Sequence, residues 1–187
     1  MRKACLFLAS IVVLSSNLSA INFSASLFFG LRTVNDSQVR GSFGNGTVYF
    51  PCLAVNFWKG FILGGGYEGG YSRTAKLGLY HESSTLEITG FEIFLGYQIP
   101  MGKFCPYVKL GYGSFSYRQS VDNPLLEEFK IDKNDMAIIY GGGIRFYPLK
   151  SIFLAGEIKM VHFSVSPVDT KVDLGGFRFL AGVGYTL

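Results

Sequence analysis

The sequence predicts an all-β protein: an eight-stranded antiparallel up-and-down transmembrane β-barrel that follows an N-terminal signal peptide. Three observations lead to this prediction: a leader of the secretory type, no later apolar run long enough for a membrane-spanning helix, and apolar residues that alternate with small or polar ones. A period of two is typical of a strand with one apolar face. In a membrane barrel that face meets lipid, and the opposite face lines a polar interior.

Residues 1–20 have the three parts of a secretory signal. Met1, Arg2 and Lys3 form a basic start, an apolar run follows, and Leu18-Ser19-Ala20 resembles a signal-peptidase site. The apolar run is too short to cross a bilayer as a helix. We therefore expect cleavage after residue 20 and a mature barrel over residues 21–187. The alternative is an amphipathic first helix of the mature fold.

The first predicted strand, 21–33, has the cleanest alternation in the chain. Its outward positions are Ile21, Phe23, Ala25, Leu27, Phe29 and Leu31. A polar loop with several glycines follows over 34–46. The second predicted strand, 47–58, contains Pro51, which has no N–H to donate to a ladder, so we expect a bulge or local irregularity there.

A turn at 58–60 leads to the third predicted strand, 61–73. Its inward positions are rich in glycine and include Glu68 and Ser72, while Tyr71 is expected to face outward. A longer loop, 74–84, precedes the fourth predicted strand. That strand covers 85–99 and has an apolar or aromatic residue at every odd position from 91 to 99.

The second half of the chain repeats this plan. The predicted strands are 106–118, 135–147, 152–164 and 174–187, joined by turns at 100–105 and 148–151 and by loops at 119–134 and 166–173. In the last strand the odd positions are apolar except Gly175, and the even positions after Leu174 are small or polar except Leu180. Long connections alternate with short ones, as in outer-membrane barrels, which have long external loops and short periplasmic turns.

Composition agrees with a barrel in a bacterial outer membrane. The chain is 49% hydrophobic, with 18 Phe, 11 Tyr and 24 Gly. Without the signal it has 15 Lys and Arg against 13 Asp and Glu, a balance that does not indicate nucleic-acid binding. The alternative is a soluble lipocalin-like barrel with its apolar face inside. The small and polar face has too few Lys and Glu for a water-exposed surface, which favours the membrane barrel.

Eight charged residues fall at inward positions: Arg32, Glu68, Glu92, Lys109, Arg145, Glu157, Lys159 and Arg178. Arg32, Lys159 and Glu68 are expected near the rim. An eight-stranded barrel has an interior just wide enough for side chains, and buried charges need partners. We therefore predict a central network in which Glu68, Glu92 and Glu157 pair with Lys109, Arg145 and Arg178, with neighbouring glycines leaving room for the arginines. A packed plug is favoured over a narrow polar pore.

Aromatic residues are expected in two girdles at the membrane interfaces. The periplasmic girdle comprises Phe57, Trp58, Phe61, Tyr97 and Tyr185, and the external one comprises Tyr71, Tyr112, Tyr140, Phe177 and Phe179. The cysteines of the mature chain, Cys52 and Cys105, lie on non-neighbouring predicted strands. A disulfide requires Cα atoms about 4.4–6.8 Å apart, so two free, buried cysteines are expected.

The signal peptide, P-Y-V-K-L-G-Y-G at 106–113, G-G-G-I-R-F-Y at 141–147 and the terminal strand at 174–187 together resemble the small eight-stranded outer-membrane β-barrel proteins. This is the group of the OmpA barrel domain, the OmpX-like proteins and the opacity-type surface proteins. The resemblance covers the mature chain. It implies a monomer in contact with outer-membrane lipid and lipopolysaccharide, and recognition of the last strand by the barrel assembly machinery. Such barrels usually end in an aromatic residue, whereas this chain ends in Leu187.

A second, local resemblance concerns the lipid A deacylases, whose seventh strand carries a His-x-Ser pair near the external rim. His162-Phe163-Ser164 lies at the corresponding place, and Asp173 precedes the last strand. The resemblance implies Ser164 as nucleophile, His162 as its base and Asp173 as the residue that orients the base. The sequence departs from that family after the serine, where Val165-Ser166-Pro167 replaces a run that contains Asn. The alternative is a histidine at headgroup level.

The function favoured by the sequence is a structural or surface-interaction role, carried by the external loops without catalysis. A lipid A-modifying acyl hydrolase and a small passive pore are the alternatives. No metal-ligand cluster or nucleotide loop is recognisable, because the glycine triplets at 64–66 and 141–143 lie inside predicted strands. We therefore expect no cofactor and no bound metal.

Overall fold

The computed structural model describes residues 21–77, 82–122, 129–166 and 171–187. The predicted signal peptide lies outside the described residues. Eight long strands close into one antiparallel barrel in which each pairs with its neighbours along the chain and the last pairs with the first. These strands are β1 (Asn22–Arg32), β2 (Gly46–Phe57), β3 (Phe61–Leu77), β4 (Glu82–Gln98), β5 (Phe104–Asp122), β6 (Phe129–Phe146), β7 (Ile152–His162) and β10 (Gly176–Thr186). The predicted eight-stranded antiparallel barrel is confirmed.

Short elements occupy the external end. A helix, α1 (Ser37–Phe43), lies within a predicted loop, and a small hairpin is formed by β8 (Ser164–Val165), at the end of the predicted seventh strand, and β9 (Val172–Asp173), in the loop that follows. Asp36 caps α1, because its carboxylate accepts hydrogen bonds from the backbone N–H groups of Gln38 and Val39. In the described part of the chain, no helix has the length and apolar character needed to cross a membrane.

The strands are of two lengths. β1, β2, β7 and β10 have 11 or 12 residues, close to the roughly 9–11 that cross a bilayer. β3, β4, β5 and β6 have 17, 17, 19 and 18 residues. The described parts of the predicted loops 74–84 and 119–134 are therefore mostly strand. Four neighbouring strands continue beyond the other four as one sheet on the external side.

A bulge in β3 corrects the predicted directions of Tyr71 and Ser72. The pairing of β3 with β4 shifts by one residue between Glu68 and Tyr71, and Gly70 has a φ of 91°. Glycine tolerates this φ, and a bulge reverses the side-chain alternation that follows it. Tyr71 is consequently 2% exposed instead of lying in the external girdle, and its hydroxyl donates to the carbonyl of Gly44 over 3.0 Å.

Pro51 produces a smaller irregularity. The pairing of β2 with β3 is interrupted between Tyr49 and Cys52, but the register is the same on both sides of the interruption. The pairing of β2 with β1 runs through Pro51 without a break. Both cysteines, Cys52 and Cys105, are buried and free, as the sequence predicted.

The inward glycines make room for aromatic rings. A Cβ added at Gly66 would lie 2.5 Å from the ring of Phe50, and one added at Gly184 would overlap the ring of Phe153. Gly90 faces the ring of Phe115 in the same way. The expectation that glycines mainly accommodate arginines is therefore incomplete, because phenylalanine rings fill much of the space beside the strands.

Candidate functional site

The interior is crossed by a continuous chain of ion pairs. Lys109 joins Glu157 at 2.8 Å to Glu92 at 3.1 Å, and Lys159 joins Glu92 at 2.7 Å to Glu68 at 3.2 Å. At the external end of this chain, Glu68 accepts from two arginines. They are Arg178, at 3.0 Å, and Arg32, at 3.3 Å. We call these seven residues the interior network.

The interior network is closely packed. The side chains of Arg32, Lys159 and Arg178 are fully buried, and the ammonium of Lys159 lies 3.9 Å from the centre of the Phe50 ring. Beside the network, the structure shows an enclosed space of about 10 Å³, roughly one water molecule. Within the described residues the lumen is therefore filled by side chains, an arrangement that favours a plug over an open pore.

The structure adds detail to the predicted interior and corrects one pairing. Arg32, Lys159 and Glu68, which are expected near the rim, are all buried in the network, and Arg32 is the last residue of β1. Arg145 does not pair with a carboxylate among the described residues. It donates to the side-chain oxygens of Asn56 and Gln98 at 3.4 and 3.2 Å, and its guanidinium lies 5.0 Å from the Phe153 ring centre. The tilt of the strands, which the sequence does not reveal, decides which inward residues meet.

The parts of β3 to β6 that extend beyond the membrane form a sheet with two different faces. Its inner face is apolar and buried on the two central strands, as Leu86, Ile88, Phe115 and Tyr117 show, whereas its outer face carries Ser, Thr and charged residues. On the edge strands, exposed charged residues such as Arg73 and Lys133 also occupy inner positions. Below this level the pattern is inverted: Phe91 and Tyr112 point outward and are 66% and 62% exposed. The inversion marks the level at which lipid gives way to water on the outer face. We call the part above it the external sheet.

Cross-strand contacts order the outer face of the external sheet. Glu87, Arg118 and Asp132 stand opposite one another on β4, β5 and β6, and Arg118 lies 3.9 Å from Glu87 and 3.1 Å from Asp132. The hydroxyls of Thr74 and Thr85 are 2.9 Å apart in another cross-strand pair. These side chains form a regular polar surface that rests on an apolar layer.

One edge of the external sheet has no strand paired to it among the described residues, although β8 lies beside part of β6. β7 pairs with β6 only from Ile138 to Phe146, so the stretch 129–137 pairs with β5 alone in the described part of the chain. The opposite edge, on β3, is covered near the membrane, because Arg73 donates to the carbonyl of Asn45 over 2.9 Å. The side chains on 130–136 include Lys130, Asp132, Lys133 and Asp135. We call the stretch 129–137 the β6 edge.

The three residues of the deacylase-like motif, His162, Ser164 and Asp173, do not form the hydrogen-bonded arrangement of a catalytic triad among the described residues. Nε2 of His162 lies 3.1 Å from the Tyr140 hydroxyl, and no hydrogen bond between His162 and Ser164 occurs among the described residues. Ser164 stands opposite Asp173 in the small hairpin. The Asp173 carboxylate accepts from Asn35 at 3.1 Å and from the backbone N–H of Gly175 at 2.9 Å, so it holds loop backbone and does not orient His162.

Sequence reasoning missed the external sheet, although a signal for it was present. On β4 the apolar residues change from even positions, at Leu86 and Ile88, to odd positions from Phe91 onward. On β5 they change from Val108, Leu110 and Tyr112 to Phe115 and Tyr117. A change of phase within one continuous strand indicates that the apolar face has moved from the outside to the inside.

Comparison with known proteins agrees with this architecture. The family model of the outer membrane protein beta-barrel domain matches residues 5–186. The structure of Ail from Yersinia pestis in complex with the heparin analogue sucrose octasulfate is similar, with a TM-score of 0.60 and 15% identity over 89% of this chain and 99% of that one. A search of curated proteins gives no match.

Two other solved structures have the same fold at similarly low identity. Neisserial surface protein A aligns with a TM-score of 0.55 and 13% identity over 88% of this chain and 96% of that one. A major outer membrane protein from Thermus thermophilus aligns with a TM-score of 0.57 and 14% identity over 90% of this chain and 100% of that one. At such identities the likeness concerns the fold alone.

Proposed function

Because the chain belongs to the outer membrane protein beta-barrel family and lies in the bacterial outer membrane, we propose that it is a non-catalytic binding protein of the cell surface. Its binding surface is the external sheet. The observation that carries this proposal is the extension of β3 to β6 by about six residues beyond the length that a bilayer requires. A barrel that only filled the membrane would not need this extension.

The external sheet is suited to recognition because it is rigid and polar on the outside. Phe115 and Ile88 are fully buried beneath it, and Phe115 packs on Phe163 with ring centres 5.4 Å apart. Binding to a surface that is already ordered costs little conformational entropy. The row formed by Glu87, Arg118 and Asp132 offers both signs of charge within hydrogen-bonding reach of a partner.

The β6 edge suggests the kind of partner. An unpaired strand edge presents backbone N–H and C=O groups that accept an added strand from another protein. Charges of both signs along the β6 edge disfavour unselective pairing, so the partner must match them. By sequence, segments 33–45, 73–89, 116–135 and 163–175 contain seven Lys and Arg but ten Asp and Glu. This balance favours a protein partner over a sulfated ligand of the kind bound by Ail.

The experiment measures binding of the nanodisc-embedded protein to an immobilised extended peptide in which Lys and Glu alternate with Thr, a partner strand that offers both signs of charge to the β6 edge. Lys133→Pro and Asn134→Pro are compared with the wild type. Because consecutive N–H groups of a strand point to opposite sides, one substitution removes an edge donor and the other disturbs the ladder to β5. Amide hydrogen exchange on β5 identifies the variant that spares the ladder, and that variant is expected to lose binding.

Ser114→Ala, on the outer face of β5 and away from the edge, serves as the matched control and should bind as the wild type does. Amide exchange over 129–137 should slow when the peptide is bound. Absence of wild-type binding, equal binding by the edge variant, or full competition by sucrose octasulfate would contradict strand addition at the β6 edge.

Two further partners belong to the same proposal. The outer faces of the strands contact outer-membrane lipid, and lipopolysaccharide is the proposed external neighbour of the girdle that contains Tyr140. The barrel assembly machinery is the proposed reader of β10, the strand that closes the barrel on β1. The protein acts as a monomer in this proposal, with the interior network as a structural plug.

A further inference from the structure

We propose that the periplasmic mouth of the barrel binds a phosphate group, carried by an anionic phospholipid or free in the periplasm. The mouth is an open cavity of about 460 Å³. Its polar lining consists of Asn22, Asn56, Gln98, Lys103, Lys150 and Thr186, together with Tyr147. None of the described residues that line the cavity is Asp or Glu.

The short turns give this end a uniform positive charge. Each of the three turns contains one lysine, namely Lys59, Lys103 and Lys150, and none contains an acidic residue. The second and third turns are joined, because the backbone N–H of Tyr147 donates to the carbonyl of Lys103 over 2.8 Å. Of the three lysines, Lys103 and Lys150 border the same cavity.

Arg145 does not line the cavity, but it lies directly behind two of the residues that do, Asn56 and Gln98. The residue is 5% exposed, and its Nη1 donates to the side-chain oxygens of Asn56 and Gln98, which line the cavity. Both acceptors are neutral, and Nε has no hydrogen-bond partner. The other four buried cations, Arg32, Lys109, Lys159 and Arg178, each pair with a carboxylate. Arg145 is the exception among the described residues.

A second polar atom points to the same place. Oγ1 of Thr186 is buried without a hydrogen-bond partner, and Thr186 lines the cavity. In the interior as a whole, five buried cations face three buried carboxylates among the described residues. A buried charge without a counter-ion is unfavourable, so an anion held in the mouth gains by partly offsetting the charge of Arg145 across Asn56 and Gln98.

Phosphate matches these groups better than other anions. The ammonium groups of Lys103 and Lys150 border the cavity and can donate to phosphate oxygens, while Arg145 adds positive charge from behind. The hydroxyl of Thr186 and the side-chain NH2 of Gln98 provide further donors. In contrast, the NH2 of Asn56 already donates to the carbonyl of Asn22 and the hydroxyl of Ser24. The turns lie beside the aromatic contact between Trp58 and Phe61, at the interface where phospholipid headgroups of the periplasmic leaflet are found.

The test uses the complete mature protein in two settings. In nanodiscs that contain phosphatidylcholine with a minor fraction of phosphatidylglycerol, native mass spectrometry counts the lipids retained. In neutral detergent, phosphorus NMR and calorimetry measure the binding of inorganic phosphate. The wild type is expected to retain phosphatidylglycerol in preference to phosphatidylcholine, or to bind inorganic phosphate, and the two arms distinguish a lipid source from a free one.

Two variants locate the site. Lys103→Gln combined with Lys150→Gln removes two exposed charges and should weaken binding about tenfold. Arg145→Met should also weaken it, and heat-modified gel mobility checks that this variant folds. Arg40→Gln combined with Lys171→Gln removes two exposed charges at the external end, outside the external sheet, and serves as the matched control, with phosphate binding unchanged.

Three outcomes would overturn the proposal. One is the absence of both phosphatidylglycerol preference and phosphate binding in the wild type. Another is an equal loss of binding in the external control, which would indicate a nonspecific charge effect. The third is full binding by the protein that carries both Lys103→Gln and Lys150→Gln, which would place the bound phosphate outside the mouth.

Discussion

The two ends of the barrel handle charge in opposite ways. At the external end, cations and anions are interleaved and pair across strands, as Arg118 does with Glu87 and Asp132. At the periplasmic end, three turns supply three lysines and no acidic residue, and the buried Arg145 has only neutral acceptors. The interior network lies between them. Under the proposed functions, recognition at the external end depends on shape and matched charge pairs, whereas the periplasmic end acts as a positive site without acidic partners.

Two buried arginines show the same contrast at close range. Arg178 is fully buried and reaches the carboxylate of Glu68 at 3.0 Å. Arg145 is almost as buried, yet it has amide oxygens in place of a carboxylate. Two arginines that are similarly buried can therefore depend to different extents on a partner of opposite charge. Substitutions at the two ends test this statement directly.

The largest effect is expected from Glu68→Gln. Glu68 is the shared partner of Arg32, Lys159 and Arg178, so its neutralisation leaves three buried cations with one fewer counter-charge. Breaking a buried pair in this way costs about 3–5 kcal/mol of unfolding free energy. Urea unfolding in lipid vesicles, followed by the fluorescence of Trp58, the only tryptophan, measures it.

Glu87→Gln is the matched control for this substitution. It removes a carboxylate from an exposed pair 3.9 Å from Arg118, and such pairs contribute about 0–1 kcal/mol. A Glu68→Gln protein as stable as the Glu87→Gln protein would contradict the assignment of Glu68 as the centre of the network.

The next largest loss of unfolding free energy comes from disturbed packing. It should have a similar size at the external and the periplasmic end of the barrel. Gly90→Ala and Gly184→Ala place a methyl group where it overlaps the buried rings of Phe115 and Phe153. Forced displacement of a packed ring typically costs about 1–3 kcal/mol. Gly156→Ala, where a Cβ would meet nothing within 4 Å, is the control, and the same urea titration compares the three. If all three proteins were equally stable, the rings would not depend on these glycines.

Much of this architecture was predictable because lipid imposes a simple rule. Outward residues such as Phe91 and Leu110 must be apolar over the membrane, so the alternation predicted the barrel, its strand number and the inward charges. Above the membrane the outer face meets water, so apolar residues such as Leu86 and Phe115 point inward. A prediction that assumes the same alternation of apolar positions along a whole strand consequently ended the strands at the membrane surface. The bulge at Gly70 and the partners of Lys159 depend on local backbone shape and strand tilt, which alternation does not encode.

A smaller effect is expected from Arg145→Met. The substitution removes a buried cation but leaves no carboxylate unpaired, and the lost contacts are two hydrogen bonds to Asn56 and Gln98 and the stacking on Phe153. Replacing a poorly compensated buried charge with an apolar group is often nearly neutral, so we expect a change of less than about 1 kcal/mol in either direction. Unfolding in phosphate-free buffer measures it, and a loss comparable to that of Glu68→Gln would indicate a counter-charge for Arg145.

The smallest effect is expected from Arg118→Ala on the external sheet. Arg118 joins Glu87 and Asp132, but all three side chains are about half exposed, so water and salt screen the pairs. The loss in unfolding free energy should be about 0–1 kcal/mol, and it should disappear in about 1 M salt. Urea titrations at low and high salt provide the measurement. A salt-independent loss larger than that of Gly90→Ala would mean that the outer row holds the external sheet together, and its role would then be structural instead of recognition.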